Sequence, residues 1–168
     1  AQDAKDYIDG IIESFWHVSS LPYISNPTLA ALIHSKSLVC ETLGVKFDVA
    51  IKYDLNELPL KPWDLASVLG NLLDNAIEAC KRITDSSMPK EIKLYMNYRD
   101  KYMIIVVTNT CDKPPVKLGR FYKSSKPSPE LHGLGLQSID RTVKKYNGNM
   151  VIKYDNNIFE LEIVMSTA

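Results

Sequence analysis

Apolar residues recur at helical or strand spacing along most of the chain. Apolar positions three and four residues apart predict helices over residues 28–43, 64–83 and 136–146. Alternating or short apolar runs predict strands over residues 46–54, 91–98, 102–110, 150–154 and 158–165. Short polar turns join the last four strands into two hairpins. Three helices and five strands in mixed order predict an α/β fold: a two-layer sandwich in which a mixed five-stranded sheet packs on the helices.

The helix predicted over residues 64–83 carries an unusual polar face. Its apolar positions form a broad face that predicts burial. On the other side, offsets of three and four residues line up four polar side chains in one stripe: Asn71, Asp74, Asn75 and Glu78. Asn and Asp are mediocre helix formers, so a solvated helix face usually carries other residues. The stripe indicates a ligand or metal site, and the alternative is an ordinary solvated face.

A pair of glycines, Gly133 and Gly135, stands at the start of the third predicted helix. Glycines there let the backbone approach a ligand, and the free amides and positive end of a helix suit an anion such as phosphate. Residues 112–131 lead into this pair and are rich in proline, lysine and serine. A loop of about twenty residues within a compact domain is functional or disordered. We expect residues 112–131 to form a mobile lid over the bound ligand, and the alternative is a surface insertion.

Length, charge and cysteines restrict the classes of protein. The chain has 168 residues, 45% of them hydrophobic, enough for one domain with a buried core. Its 20 basic and 20 acidic residues cancel, which argues against a nucleic-acid binder. Cys40, Cys80 and Cys111 are odd in number and widely spaced, so we expect buried thiols in a reducing cytosol rather than disulfides or a zinc site.

Neither a signal peptide nor an apolar run long enough to span a membrane is visible in the sequence, and the chain begins with Ala. We therefore expect a cytoplasmic domain excised from a longer protein.

These motifs together resemble one family. Residues 71–79 (Asn-Leu-Leu-Asp-Asn-Ala-Ile-Glu-Ala) are similar to the N-box of the GHKL superfamily, the ATP-binding fold shared by gyrase, heat-shock chaperones, histidine kinases and MutL. Residues 132–136 (His-Gly-Leu-Gly-Leu) resemble its second glycine box, and residues 121–126 resemble the lid motif before that box. Residues 69–79 look most like sensor kinases of the peptide-pheromone and virulence-regulating type. The resemblance covers about residues 26–166.

The resemblance implies a Bergerat-type ATP-binding fold and a sensor histidine kinase. Residues 1–25 would be the tail and linker of an upstream dimerisation helix, and residues 26–168 the ATP-binding catalytic domain, with its nucleotide lid at about 112–131. The domain would bind Mg-ATP and transfer the γ-phosphate to a histidine on the dimerisation segment. A response regulator would be a further partner, no nucleic acid is expected, and the parent protein would be a homodimer in the cell membrane.

The N-box residues indicate the type of reaction. Asn75 matches the metal-binding Asn of the family, and Asn71 lies one turn earlier on the same face. Members that hydrolyse ATP carry Glu at the position of Asn71, as the general base for water. A carboxamide cannot accept a proton at neutral pH, which favours phosphoryl transfer by positioning and electrostatics. Asn71 and Asn75 are therefore the predicted catalytic residues, and Asn75 is the predicted metal ligand.

The chain departs from the family at two positions. Asn109 stands where most relatives place the Asp that binds the adenine amino group, and Glu78 stands where classical kinases place a basic residue. The cations would then come from Lys123 and Lys126 on the lid. The predicted ATP-binding residues are Asn71, Asn75, Glu78, Asn109, Lys123, Lys126, His132, Gly133, Leu134, Gly135 and Leu136.

The chain offers no convincing phospho-acceptor. His34 falls within a predicted helix of the nucleotide domain, and His17 lacks the acidic neighbour typical of an acceptor histidine. We expect the acceptor outside this chain. Alternatives to the kinase are a degenerate nucleotide-binding module with a regulatory role, and a GHKL serine kinase or ATPase.

Overall fold

The computed structural model of the chain describes residues 24–52, 60–114, 117–118, 121–122 and 134–166. The predictions for residues 1–23 and for most of the lid fall outside these residues. The described helices are α1 (Pro27–Thr42), α2 (Pro62–Arg82) and α3 (Leu134–Lys145). The strands are β1 (Lys46–Ile51), β2 (Glu91–Arg99), β3 (Tyr102–Thr110), β4 (Lys117–Leu118), β5 (Phe121–Tyr122), β6 (Asn149–Asp155) and β7 (Ile158–Ser166).

Five strands form one mixed sheet in the order β1-β2-β3-β7-β6. β1 and β2 are parallel and are connected across α2, and the other neighbours are antiparallel. The β2–β3 and β6–β7 hairpins are closed by two-residue turns with positive φ. The turn residues are Asp100 (51°) with Lys101 (70°), and Asn156 (47°) with Asn157 (62°). Such turns match the twist of the strands that they join. The predicted α/β sandwich with a five-stranded sheet on three helices is confirmed.

Most predicted boundaries agree with the structure to within two residues. The Asn26 side chain accepts a hydrogen bond from the Leu29 amide at 3.1 Å and so caps the start of α1, whereas Gly44 (φ 65°) follows its end. β1 ends at Ile51 rather than at residue 54. The short β4–β5 pair, which lies in the predicted lid, was not predicted. Two-residue strands give no periodic signal, so the sequence pattern does not reveal them.

The helices and one face of the sheet share a single hydrophobic core. Alternate strand residues such as Leu94, Ile105 and Ile163 are buried in it together with residues of all three helices. On α2 the buried positions are Leu65, Val68, Leu69, Leu72, Leu73, Ala76, Ile77 and Cys80. Burying one large aliphatic side chain contributes about 1.5–3 kcal/mol. Burial of this face therefore fixes the rotation of α2 about its own axis. That rotation decides where the polar stripe points.

The three cysteines are buried, unpaired thiols, which confirms the prediction that they lie inside the fold. Burial raises the pKa of Cys40 to about 11 and that of Cys111 to about 11. Thiols react as thiolates, so both groups are protonated and unreactive at neutral pH.

Gly148 allows α3 and β7 to approach closely, and Gly148→Ala should lower the free energy of unfolding by about 2 kcal/mol. A Cβ at this position would lie 2.5 Å from the Val164 carbonyl oxygen and 2.8 Å from Val143 Cγ1. Because the first contact is with backbone, the chain itself would have to move. Urea denaturation checks the change.

Gly70→Ala is the matched control for Gly148→Ala. Gly70 lies inside α2, and the nearest atom to its added Cβ is Leu32 Cδ1 at 4.0 Å. Alanine is the better helix former, so this variant should gain about 0.5–1 kcal/mol. Equal stability of the two variants would contradict the close approach at Gly148.

Candidate functional site

The start of α3 lies directly over the polar stripe of α2. Asn71 and Asn75 are half-buried on α2, and Gly135 is the second residue of α3. A Cβ built on Gly135 would lie 3.4 Å from Asn71 Oδ1, 3.6 Å from Asn75 Oδ1 and 3.7 Å from Asn75 Nδ2. The structure therefore brings together the two motifs that the sequence places some sixty residues apart.

The Asn71 and Asn75 carboxamides differ in their hydrogen bonds. Asn71 Nδ2 donates a hydrogen bond to the Ser67 carbonyl oxygen at 2.9 Å, which leaves its Oδ1 facing Gly135. No residue in the described part of the chain forms a hydrogen bond with the Asn75 carboxamide. We use the word crevice for the place where Gly135 meets the Asn71 and Asn75 carboxamides. It combines neutral amide oxygens with the positive end of a helix, and this combination suits a phosphate that carries a cation.

The carboxamide oxygens in this crevice are suitable ligands for Mg²⁺ bound together with phosphate. Mg²⁺ prefers six oxygen ligands, keeps several waters and takes others from the phosphates of its substrate. One or two carboxamide oxygens can complete such a set without placing negative charge against a triphosphate. Within the described ranges, no group of three or more His, Cys, Asp or Glu side chains is arranged to hold a metal on its own.

Asp74, the second member of the stripe, forms an ion pair with Lys36, which is not among the predicted site residues. Lys36 Nζ lies 2.6 Å from Asp74 Oδ1, and the two side chains are 19% and 51% exposed. This ion pair joins α1 to α2 one residue before Asn75. A signal for it was present: Lys36 follows Leu29 and Ile33 at the spacing of the buried face of α1, where an unpartnered lysine is costly.

Glu78, the last member of the stripe, pairs with Arg82 one turn later, at 3.2 Å between Oε2 and Nη2. Both side chains are partly exposed, so the pair adds little to stability. The predicted contact of Glu78 with ATP stays a prediction.

Asn109 lies near the end of β3 and is only 3% exposed. Strand alternation places it on the same face as Ile105 and Val107, which is the face covered by the helices. Its Nδ2 donates to the Thr110 carbonyl oxygen at 3.0 Å. This hydrogen bond uses the donor end of the carboxamide, and the predicted contact of Asn109 with adenine stays a prediction.

The remaining predicted site residues divide into two groups. Leu134 and Leu136 belong to α3, and Leu136 packs against the core. The lid and glycine-box residues that fall outside the described ranges are Lys123, Lys126, His132 and Gly133. Their predicted contacts with ATP stay predictions.

Residues 60–166 match the family profile of the GHKL domain. The chain belongs to the GHKL family. The matched range contains α2, α3 and every strand from β2 to β7, and thus the whole crevice between the carboxamides and Gly135.

Two curated sensor histidine kinases are similar to this GHKL domain over nearly its whole length. Sensor histidine kinase DpiB of Escherichia coli is 27% identical over 94% of the chain, and sensor histidine kinase NatK of Bacillus subtilis is 25% identical over 96%. The chain spans 27% of DpiB and 51% of NatK. The predicted relationship to the ATP-binding domain of sensor histidine kinases is confirmed, and the pheromone-sensor subtype stays a prediction.

Solved catalytic domains of histidine kinases share the fold of this GHKL domain. That of ThkA superposes with a TM-score of 0.64 at 15% identity, covering 86% of this chain and 93% of the ThkA chain. A mycobacterial sensor histidine kinase, MprB, gives a TM-score of 0.57 at 20% identity, covering 82% and 95%. In the described part of the chain, no helix has the length and apolar character needed to cross a membrane.

Proposed function

We propose that this GHKL domain binds ATP with Mg²⁺ and transfers the γ-phosphoryl group to a histidine on a dimerisation segment of its parent protein. The observation that carries the proposal is the position of Gly135 over the Asn71 and Asn75 carboxamides. It places a helix N-terminus and neutral oxygen ligands in one crevice, which is what a triphosphate with its cation requires. The similarity to sensor histidine kinases supports the same activity.

Each residue then has a defined part in binding. Mg²⁺, held by Asn75, would neutralise charge on the phosphates. Asn71 would hold the γ-phosphate by a hydrogen bond from the second N–H of its Nδ2. The first amides of α3 would bind phosphate oxygens, and Asn109 Oδ1 would accept a hydrogen bond from the adenine amino group. Lys123 and Lys126 would supply cations from the lid.

The transfer needs positioning rather than a base in this domain. The bond between the γ-phosphorus and its bridging oxygen breaks, a bond to an imidazole nitrogen forms, and ADP leaves. Asn71 cannot remove a proton from water, so water in the crevice is not activated as a competing nucleophile. Holding donor and acceptor in line supplies most of the acceleration in such reactions.

The test is transfer of radioactive γ-phosphate in the presence of Mg²⁺, with the chain and a separately prepared dimerisation segment of its parent. The expected product is an acid-labile phosphoryl group on the segment, with phosphate release no faster than the background. Release of phosphate by the chain alone would point to an ATPase instead. An acid-stable label would point to a serine kinase.

One observation favours a second candidate, a regulatory module that binds nucleotide without transferring phosphate. Asn109 offers adenine a neutral acceptor in place of a carboxylate, and hydrogen bonds to charged groups are stronger. Nucleotide binding without label on any segment would support this candidate. The response regulator, the homodimeric parent and its place in the cell membrane belong to the kinase proposal.

A further inference from the structure

A polar cluster joins α2 to α3 at the end of the helix pair that lies away from the crevice. Asp64 Oδ2 accepts hydrogen bonds from the Tyr146 hydroxyl and from Lys145 Nζ, both at 2.6 Å. The Tyr146 hydroxyl in turn accepts a hydrogen bond from the Lys61 backbone amide at 3.2 Å. We call these four residues the Asp64 cluster. They link the first turn of α2 to the residues at the end of α3.

The Asp64 carboxylate is charged and well enclosed, with 16% of its side chain exposed. Burial by itself raises the pKa of Asp64, but the hydrogen bonds from Lys145 and Tyr146 outweigh burial and hold this pKa below its ordinary value. Burial and the bond to Asp64 both raise the pKa of Tyr146, so its hydroxyl remains a donor at neutral pH. Charge-assisted hydrogen bonds of this kind are short and strong.

Tyr146 is also fixed through its backbone. Its carbonyl oxygen accepts a hydrogen bond from the Ser166 amide at the end of β7, at 2.9 Å, and its own amide donates to the Val143 carbonyl oxygen at 3.1 Å. The hydroxyl that reaches Asp64 therefore belongs to a residue held by both α3 and the sheet. A bond from such an anchor can determine where α2 lies.

The Asp64 cluster and the crevice are the two ends of one antiparallel helix pair. Eleven residues separate Asp64 from Asn75 on α2, and eleven separate Gly135 from Tyr146 along α3 and the residue after it. At 1.5 Å per residue, both separations are about 16 Å. Any sliding of α3 along α2 at one end is therefore transmitted to the other.

Between these two ends both helices contribute buried apolar side chains to the core. Val68 of α2 and Ile139 and Val143 of α3 are buried in the shared core. Apolar attraction has no preferred direction, whereas hydrogen bonds weaken steeply when distance or angle changes. The polar contacts at the Asp64 cluster therefore define the lengthwise position of α3 more sharply than the apolar contacts do.

We propose that the Asp64 cluster is a positioning device for the nucleotide site: it sets the alignment of α3 on α2 and thereby holds Gly135 over Asn71 and Asn75. The inference rests on the proposed function, because it assigns the crevice to nucleotide. Asp64 and Tyr146 act as positioning residues at a distance of about three helical turns from Asn75.

The test is Tyr146→Phe, which removes the hydroxyl and keeps the ring. The dissociation constant of Mg-ATP, measured by calorimetry, should rise about fivefold. In the nucleotide-free chain, the side-chain carboxamide signals of Asn71 and Asn75 in ¹H–¹⁵N spectra should shift. A purely structural role would lower the melting temperature but leave the dissociation constant and these signals unchanged, and that result would overturn the inference.

The matched control is Asp140→Asn, which removes an ion pair with Lys144 (2.5 Å) that lies within α3 and does not join it to α2; the two side chains are 21% and 56% exposed. It should change neither quantity. Should Tyr146→Phe fail to fold, Asp64→Asn, which keeps a hydrogen-bond acceptor and removes the charge, is measured in the same way. Absence of Mg-ATP binding in the unmodified chain would refute the proposed function alone, because the carboxamide signals still test the alignment.

Discussion

Asn75→Ala should weaken the binding of Mg-ATP about a hundredfold, since loss even of a residue that only orients a metal ligand typically costs about 10–100-fold in metal affinity. The affinity of the unmodified chain should fall when Mg²⁺ is removed, and the variant should show no such dependence. Stability should not suffer, because the Asn75 carboxamide has no hydrogen-bond partner in the described part of the chain. Alanine is also the better helix former, by up to about 0.7 kcal/mol. Calorimetric titration with and without Mg²⁺ measures the effect.

Asn149→Ala is the control for Asn75→Ala. Asn149 is an exposed residue at the start of β6, so the same chemical change is made away from the crevice. It should leave both the affinity and its dependence on Mg²⁺ unchanged. An Asn75→Ala variant that still responds to Mg²⁺ as the unmodified chain does would show that the metal lies elsewhere.

Gly135→Ala should raise the stability of the fold and lower its affinity for Mg-ATP. The added Cβ lies at ordinary contact distance from both carboxamides, 3.4 Å at the closest, and Gly135 has no positive φ, so the fold accommodates it. Replacing glycine by alanine within a helix stabilises by about 0.5–1 kcal/mol. The same methyl group occupies the space directly over Asn71 Oδ1 and Asn75 Oδ1, and overfilling such a space costs up to about 3 kcal/mol, or about a hundredfold in affinity.

The decisive comparison for Gly135→Ala is with Gly70→Ala. That substitution also places a methyl group on a helical glycine, but 4.0 Å from its nearest neighbour, Leu32. Both variants should melt at higher temperature than the unmodified chain, and only Gly135→Ala should lose affinity for Mg-ATP. Equal affinities would show that the nucleotide does not occupy the space next to Gly135.

The elements of the fold were predictable because their signals are local. The apolar face of α2 repeats over 21 residues, and each hairpin has polar turn residues between two apolar runs. Periodicity of this length reports which face is buried whatever covers it. The two-residue strands β4 and β5 carry no such signal, and β1 ends three residues before its predicted end.

The proximity of the two motifs was also predictable, but in a different way. The stripe of Asn71 and Asn75 and the glycine pair were visible as separate features, and only the resemblance to a family joined them. The structure confirms that the two features lie together, because Gly135 lies over the two carboxamides. Lys36 and the Asp64 cluster were missed because their partners are distant in sequence: Lys36 pairs with Asp74, and Asp64 with Tyr146.

By itself the sequence determined the secondary structure and the buried face of α2, and it predicted the chemical type of the candidate site, since these depend on residue type and on spacing within one element. Tertiary structure alone decided which residues of different elements meet. The alignment of α3 on α2, the ion pair between Lys36 and Asp74 and the enclosure of Asp64 all arise from packing between elements. A periodic pattern states which side of a helix is buried, but it carries no information on how far one helix lies along another.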